Sequence, residues 1–243
     1  MLRQKGFWLI VKTVLLKIYG VLIRVRVVGR EYICQPMYKG FIVAANHLTG
    51  ADSIVIQIAL KTRIFYLAWK RWFYSRFVGF WMKNLCDTMP VENRVDASNV
   101  ATLRRSIELL KNGAAIGVFP EGEMNRTGKI THLHNGTAWL AVRAGVPVLP
   151  VYIAGLKNGP EPYSKPWLNE AWEGFFSVVE NIFNRHIVVA VGKPIYPEAK
   201  PWATDVELKR EINRINQELL CQFQLLARTF NRVVSVDIDH RRN

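Results

Sequence analysis

In "GFIVAANHLTGADSIVIQIAL", residues 40–60, a histidine and an aspartate stand five positions apart, where one apolar run stops and another begins. A carboxylate bonded to one imidazole nitrogen fixes the tautomer and leaves the other nitrogen free to take a proton from a hydroxyl. In that reading His47 is a general base and Asp52 its orienting group. A helix-capping aspartate beside a structural histidine accounts for the same two residues. A second loop, "VFPEGEMNRTGKI" (residues 118–130), also follows an apolar run. Its proline ends a ladder, Gly122 and Gly128 let backbone amides come close to a ligand, and Arg126 and Lys129 offer charge to a phosphate. A basic hairpin turn on the surface has the same composition. Other chemistries lack their residues. The sequence has no G-x-S-x-G elbow, no Walker or dinucleotide glycine pattern and no Cys-His-Asp/Glu ligand cluster, so neither a metal nor a nucleotide cofactor is expected.

The elements that must position these loops follow from periodicity. "VRVVGREYI" reads as a short strand and turn, and "GFIVAANH" as a buried strand ending at Asn46. "SIVIQIAL" reads as a helix with Asp52 or Ser53 at its N-cap, which would put His47 and Asp52 in one tight loop at the carboxyl end of a strand, the edge where α/β sheets bind ligands. "FYLAWKRWFYSRFVGFWMKNL" is aromatic and basic together: a helix touching lipid or a thioester, or a half-buried helix with snorkelling charges. A helix capped at Ser98 and closed by Gly113 precedes the strand "AAIGVF"; "NGTAWLAVRAG" is a helix closed by Gly145, followed by the strand "VPVLPVYIAG". "HIVVAVGKPI" adds a strand, and Thr204 with Glu207 forms a capping box for a last helix. Alternating strands and helices predict an α/β domain with a largely parallel central sheet flanked by helices. The expected division is an amphipathic segment at residues 1–28, a domain at 29–230 and a loose tail at 231–243.

The chain has 243 residues, enough to bury roughly 70% of its unfolded surface. Its 33 Lys and Arg against 19 Asp and Glu give a net charge of +14, and half of its residues are apolar, eight of them Trp. Basic charge alone fits nucleic acid or an anionic membrane; the aromatic and apolar content favours the membrane interface, and no nucleic-acid partner is expected. On a helix over about residues 6–23, Lys12, Thr13, Lys17, Gly20 and Arg24 gather on one side, and Phe7, Val11, Val14, Ile18, Val21 and Leu22 on the other. That pattern, with its basic stripe, favours a helix lying in the headgroup layer over a helix packed on its own domain. Its charges interrupt every apolar run of spanning length. Cys34, Cys86 and Cys221 are expected to be reduced core residues.

Three stretches in order, "NHLTGAD", "FPEGEMNRTGK" and "AGVPVLPVYIAG", resemble the N-H-x-x-x-x-D, F-P-E-G and V-P-V-x-P-V boxes of the lysophospholipid and glycerol-phosphate acyltransferase family, over roughly residues 29–197. The resemblance implies a membrane-associated enzyme, at the cytoplasmic face, that moves a fatty acyl group from a thioester to a lysolipid hydroxyl. The acceptor it implies is 1-acyl-glycerol-3-phosphate, giving phosphatidic acid; another lysolipid or glycolipid acceptor, or a non-catalytic lipid-binding protein of the same fold, are the alternatives. It makes His47 the base and Asp52 its orienting carboxylate, with direct transfer and no covalent acyl-enzyme. Glu121, Gly122, Arg126, Lys129 and Arg94 would serve the acceptor, acyl-CoA or acyl carrier protein would supply the acyl group as co-substrate, and anionic membrane lipids would be partners. The chain departs from the pattern at Glu123, Met124 and Asn125, where many members carry Thr-Arg-Ser, at Arg94, about one residue late after Pro90, and at Leu133–His134, where a Phe-Lys pair is common.

Overall fold

The computed structural model describes residues 2–33, 40–74, 79–80, 82–83, 86–92, 97–125, 130, 132–156, 170–184 and 186–239. Seven strands, β1 (Val25–Val28), β2 (Phe41–Ala45), β3 (Ile64–Trp69), β4 (Thr88–Val91), β5 (Ala115–Val118), β6 (Val148–Ala154) and β7 (Ile187–Val191), form one sheet in the order β1-β7-β6-β2-β5-β3-β4. The helices with bounds among the described residues are α1 (Leu2–Leu22), α2 (Asp52–Leu60), α3 (Ala97–Lys111), α4 (Gly136–Ala144), α5 (Glu170–Ile182) and α6 (Asp205–Asp239). Strands β2 to β6 run in one direction; β7 is antiparallel to β6, and β1 is parallel to β7. The α/β class with a mostly parallel sheet is thus as expected.

The buried runs Phe41–Ala45 and Ile187–Val191 are apolar at every position because helices cover both faces of the sheet. On one face α1, α2 and α5 pack over Val43, Tyr66, Val151 and Val189; on the other α3, α4 and α6 pack over Ile42, Ile116 and Val148. The chain leaves β2 through α2 on the first face and leaves the adjacent β5 through α4 on the second, so the two connecting loops diverge from neighbouring strand ends. A ligand crevice forms at such a switch point.

Several expectations need correction. Residues 65–69 of the aromatic and basic segment belong to strand β3, followed by a short 3₁₀ turn over Lys70–Phe73, not to a helix; alternating burial with aromatic residues is the strand signal that its charges obscured. Strand β4 and helix α5 were not foreseen. Helix α2 begins at Asp52 with Ala51 as N-cap, α3 starts at Ala97 so that Ser98 lies inside it, and α6 continues through Asp239. The capping box of α6 is present: the Thr204 N–H donates to Glu207 at 2.8 Å. Cys221 is exposed and Cys86 half-buried, so neither is a core thiol of the kind expected.

Helix α1 is turned over relative to an ordinary surface helix. Lys12, Tyr19 and Ile23 face the domain and are buried, while Phe7, Ile10, Val14, Ile18 and Val21 face outward, Val21 with 84% of its surface exposed. The basic stripe is therefore split: Lys17 and Thr13 are exposed, but Lys12 points inward. Its ammonium pairs with the buried Asp87 and donates to Gln57 Oε1 at 3.1 Å. Arg63 closes the same carboxylate in a fork, Nε to Oδ2 at 2.8 Å and one terminal nitrogen to Oδ1 at 2.7 Å. The Tyr19 hydroxyl adds a bond to the Val178 carbonyl at 2.9 Å, tying α1 to α5. Among the described residues no helix is long and apolar enough to cross a membrane.

Burial raises the Asp87 carboxyl, and the bonds and charges of Arg63 and Lys12 outweigh it, leaving the group below its usual value. The stability this confers is fully present above the unfolded carboxylate value of about 3.9 and is lost as pH falls through the lower folded value. Asp87→Asn leaves Lys12 buried without its counter-charge and should cost about 3–5 kcal/mol. Asparagine tolerates the backbone of Asp87 (φ 50°), so the loss isolates the charge. Lys12→Met leaves the Arg63 fork intact and should cost much less. Chemical denaturation at pH 7 and pH 3 checks both: the gap between wild type and Asp87→Asn should narrow at the lower pH.

Candidate active site

Asn46, the residue after β2, is buried, and its side chain imitates a backbone unit. Its Nδ2 donates to the Ile153 carbonyl at 2.9 Å, and its Oδ1 accepts from the Ile153 N–H at 2.6 Å. The ladder with β6 is thereby extended one step beyond Ala45, which fixes where the chain leaves the sheet. His47 follows at the rim, its side chain 22% exposed. Sequence reading ended the strand at Asn46 without seeing this role; a polar residue closing an otherwise apolar run was the available signal.

His47 Nδ1 lies 2.8 Å from Asp52 Oδ2. That oxygen also accepts the N–H groups of Leu48 at 2.6 Å and Thr49 at 3.0 Å, and Oδ1 accepts the Thr49 hydroxyl at 2.9 Å. A carboxylate so supplied accepts the ring proton as well, so Nδ1 carries it and Nε2 is left with a lone pair and no protein partner among the described residues. Asp52 does not cap α2 forward, as an N-cap would; it reaches back to the loop that leads into the helix.

The second loop grips the first from the other side. Glu121 Oε1 accepts the His47 backbone N–H at 3.0 Å, Oε2 accepts Asn125 Nδ2 at 2.5 Å, and the Asn125 N–H donates to the His47 carbonyl at 2.6 Å. Phe119 stacks beneath the imidazole with ring centroids 4.1 Å apart and planes 13° apart, and Tyr66 stacks in turn on Phe119. The buried Tyr66 fits because Gly117 has no side chain; a Cβ there would stand 2.2 Å from the ring. Gly122 turns the loop at φ +78°, its N–H bonded to the Phe119 carbonyl, and a Cβ on it would meet the His134 ring at 2.8 Å. Burial pushes the Glu121 carboxyl above its usual range, against the bonds from Asn125 and His47 that lower it.

The sequence-predicted residues thus divide. His47, Asp52, Glu121 and Gly122 come together at the carboxyl ends of β2 and β5, while Arg94, Arg126 and Lys129 lie outside the described residues. Phe119, Asn46, Thr49 and Asn125 are the positioning residues that pattern reading missed. Among the described residues no three His, Cys, Asp or Glu side chains converge as metal ligands would. The arrangement can accept a proton at Nε2 from a hydroxyl in the crevice and hold the resulting imidazolium against Asp52.

Comparison with known proteins bears on this arrangement. The 1-acyl-sn-glycerol-3-phosphate acyltransferase of Bacillus subtilis (strain 168) is 28% identical over 142 residues, which cover 58% of this chain and 68% of that protein. Its counterpart in Saccharomyces cerevisiae is 29% identical over 141 residues, 57% of this chain and 45% of that protein, so the match spans less than half of the yeast enzyme. The fold is that of the crystal structure of the 1-acyl-sn-glycerophosphate (LPA) acyltransferase PlsC from Thermotoga maritima, with a TM-score of 0.52 at 22% identity over 88% of this chain and 86% of that one. Residues 24–154, more than half of the sequence, match the family described as Acyltransferase. The chain belongs to the acyltransferase family.

Proposed function

We propose that this acyltransferase moves a fatty acyl group from an acyl thioester, of coenzyme A or acyl carrier protein, to the free hydroxyl of a lysophospholipid, with 1-acyl-glycerol-3-phosphate as acceptor and phosphatidic acid as product. The observation that carries the reading is the His47–Asp52 pair at 2.8 Å, with Nε2 unpartnered among the described residues at the switch point of the sheet; the relatives' named activity supplies the acceptor. Nε2 takes the hydroxyl proton as the oxygen attacks the thioester carbonyl. The tetrahedral intermediate collapses with loss of the C–S bond, and the imidazolium returns the proton to the leaving thiolate. No covalent acyl-enzyme enters the sequence. General-base assistance is worth about 10²–10⁴-fold, and the remainder falls to holding both substrates together. The outward apolar side of α1 (Phe7, Ile10, Val14, Ile18, Val21) supports a bilayer surface as the place where the lipid acceptor is met.

Incubating the purified chain with an acyl thioester and a panel of lysolipids, with products identified by mass, tests this reading. Phosphatidic acid should form, and its absence across the whole panel would sink the proposal. His47→Ala should lower turnover by about 10²–10⁴-fold with an unchanged melting profile. Phe119→Ala removes the ring under the imidazole and should reduce kcat by up to about a hundredfold, with a smaller change in KM.

Glu121 gives a signed pH prediction. Since burial holds its folded value high, its contribution to stability is full below the unfolded value of about 4.3 and is lost as pH rises through the folded one. Glu121→Gln keeps an oxygen for the His47 N–H without the buried charge. Its stability relative to wild type should therefore increase from pH 4 to pH 7 in denaturant titrations; a difference that stays constant would show that Glu121 is not desolvated.

A further inference from the structure

A cavity of about 280 Å³ opens where the end of α1, the end of α2 and β1 meet. Its lining includes the apolar Ile23, Val25 and Ile58 and three exposed cations, Arg24, Arg30 and Lys61. No Asp or Glu lines it, and none of the three cationic side chains has a hydrogen bond or ion pair among the described residues. Each alone is ordinary. Arg24 follows the carboxyl end of α1 and Lys61 caps that of α2, where the helix dipole attracts positive charge. Three of them around one concavity repel each other with no carboxylate in the wall to offset it, and a polyanionic oxygen cluster would relieve that repulsion while accepting their N–H groups.

The position of the cavity selects the source of that anion. The cavity lies next in the chain to the most exposed apolar stretch of α1, Ile18, Val21 and Leu22. A headgroup phosphate attached to acyl chains can fill the cavity while its chains run along that stretch, whereas a free phosphate gains nothing from it. We propose that the cavity bounded by Arg24, Arg30 and Lys61 is a binding site for the phosphate of an anionic membrane lipid, remote from the His47 crevice. The proposal rests on the bilayer reading given under Proposed function, and extends it from general surface attraction to one built headgroup site. The cavity is at the small end of ligand pockets, which suits a headgroup rather than a whole lipid.

Vesicle sedimentation of the full chain separates a site from diffuse charge. The triple variant Arg24→Gln, Arg30→Gln, Lys61→Asn removes the three charges; asparagine suits the left-handed backbone of Lys61 (φ 52°). A control triple, Arg104→Gln, Lys111→Gln, Lys209→Gln, removes the same charge from helices on the opposite face of the sheet. On phosphatidylcholine vesicles containing phosphatidic acid, the cavity triple should bind about tenfold or more weakly than wild type. The control should change by less than about threefold, because charges beyond a Debye length are screened. On pure phosphatidylcholine all three proteins should bind alike. Equal losses in both triples would overturn the site in favour of general attraction. A melting shift with inorganic phosphate as large as that with the lipid would overturn the lipid as occupant. If the triple variant melts early, Arg24→Gln and Arg30→Gln are read singly, and no loss from either overturns the proposal. Binding is measured without turnover, and activity toward a water-soluble short-chain acceptor should be the same in wild type and cavity triple. A failed acyl-transfer assay and a failed headgroup site are therefore told apart.

Discussion

The Asp52 carboxylate is wholly buried, and an ion in that position would be costly but for four donors converging on its two oxygens: the His47 ring, the Leu48 and Thr49 amides and the Thr49 hydroxyl. Three of the four come from the loop backbone and Thr49, so most of the compensation is independent of the histidine. This has a mechanistic consequence. The loop conformation survives whatever charge the imidazole carries, while the imidazole's tautomer depends on the carboxylate. The Thr49 hydroxyl accepts from the Ala51 amide as it donates to Asp52, which passes the constraint on to the first turn of α2. The His47 ring is thereby set by the start of a nine-residue helix whose other buried side chains lock into the sheet.

The opposite side of His47 is held by different physics. Glu121 accepts the His47 amide and Asn125 donates to its carbonyl, so the His47 backbone is pinned from the loop after β5 while its ring lies on Phe119. The carboxylate of Glu121 is spent on this bracing and is raised by burial, an unfavourable placement for a group that only decorates a surface turn. Such local cost is expected where a loop is held for chemistry rather than for stability. Phe119, Pro120, Glu121 and Gly122 thus support His47 directly, through a stack, a turn and a hydrogen bond. Whatever else the loop binds, its first four residues act on His47.

The His47–Asp52 pair was legible because five-residue spacing between a strand and a helix leaves room for little except a tight loop, and the sheet class was legible from apolar runs such as Phe41–Ala45 alternating with helical patterns. Strand β3 was not, since Arg63, Lys70 and Arg71 flank it and the aromatic run continues past its end; the period-2 burial of Ile64, Tyr66 and their neighbours decides it only once the partner strands are known. The reversal of direction at β7 leaves no trace in a fully apolar pentamer. The supporting roles of Asn46 and Asn125 depend on partners 107 and 78 positions away, which no local pattern encodes.

Helix α1 shows the same limit more sharply, because its periodicity is legible in the sequence and the inward placement of Lys12 is not. A helical wheel separates apolar from basic residues, but which side meets the domain depends on what the domain offers. Here it offers Asp87, 75 residues beyond Lys12 and already gripped by Arg63, together with Gln57. A lysine is drawn inward because its charge is met there, and its aliphatic stem packs along the interface. The apolar side of the helix is then left outside as a geometric necessity, not as a failure of packing. The Lys12–Asp87 contact, beside the buried Tyr19 and Ile23, holds the helix to its domain while Phe7, Ile10, Val14, Ile18 and Val21 stay on the surface that could enter a lipid interface.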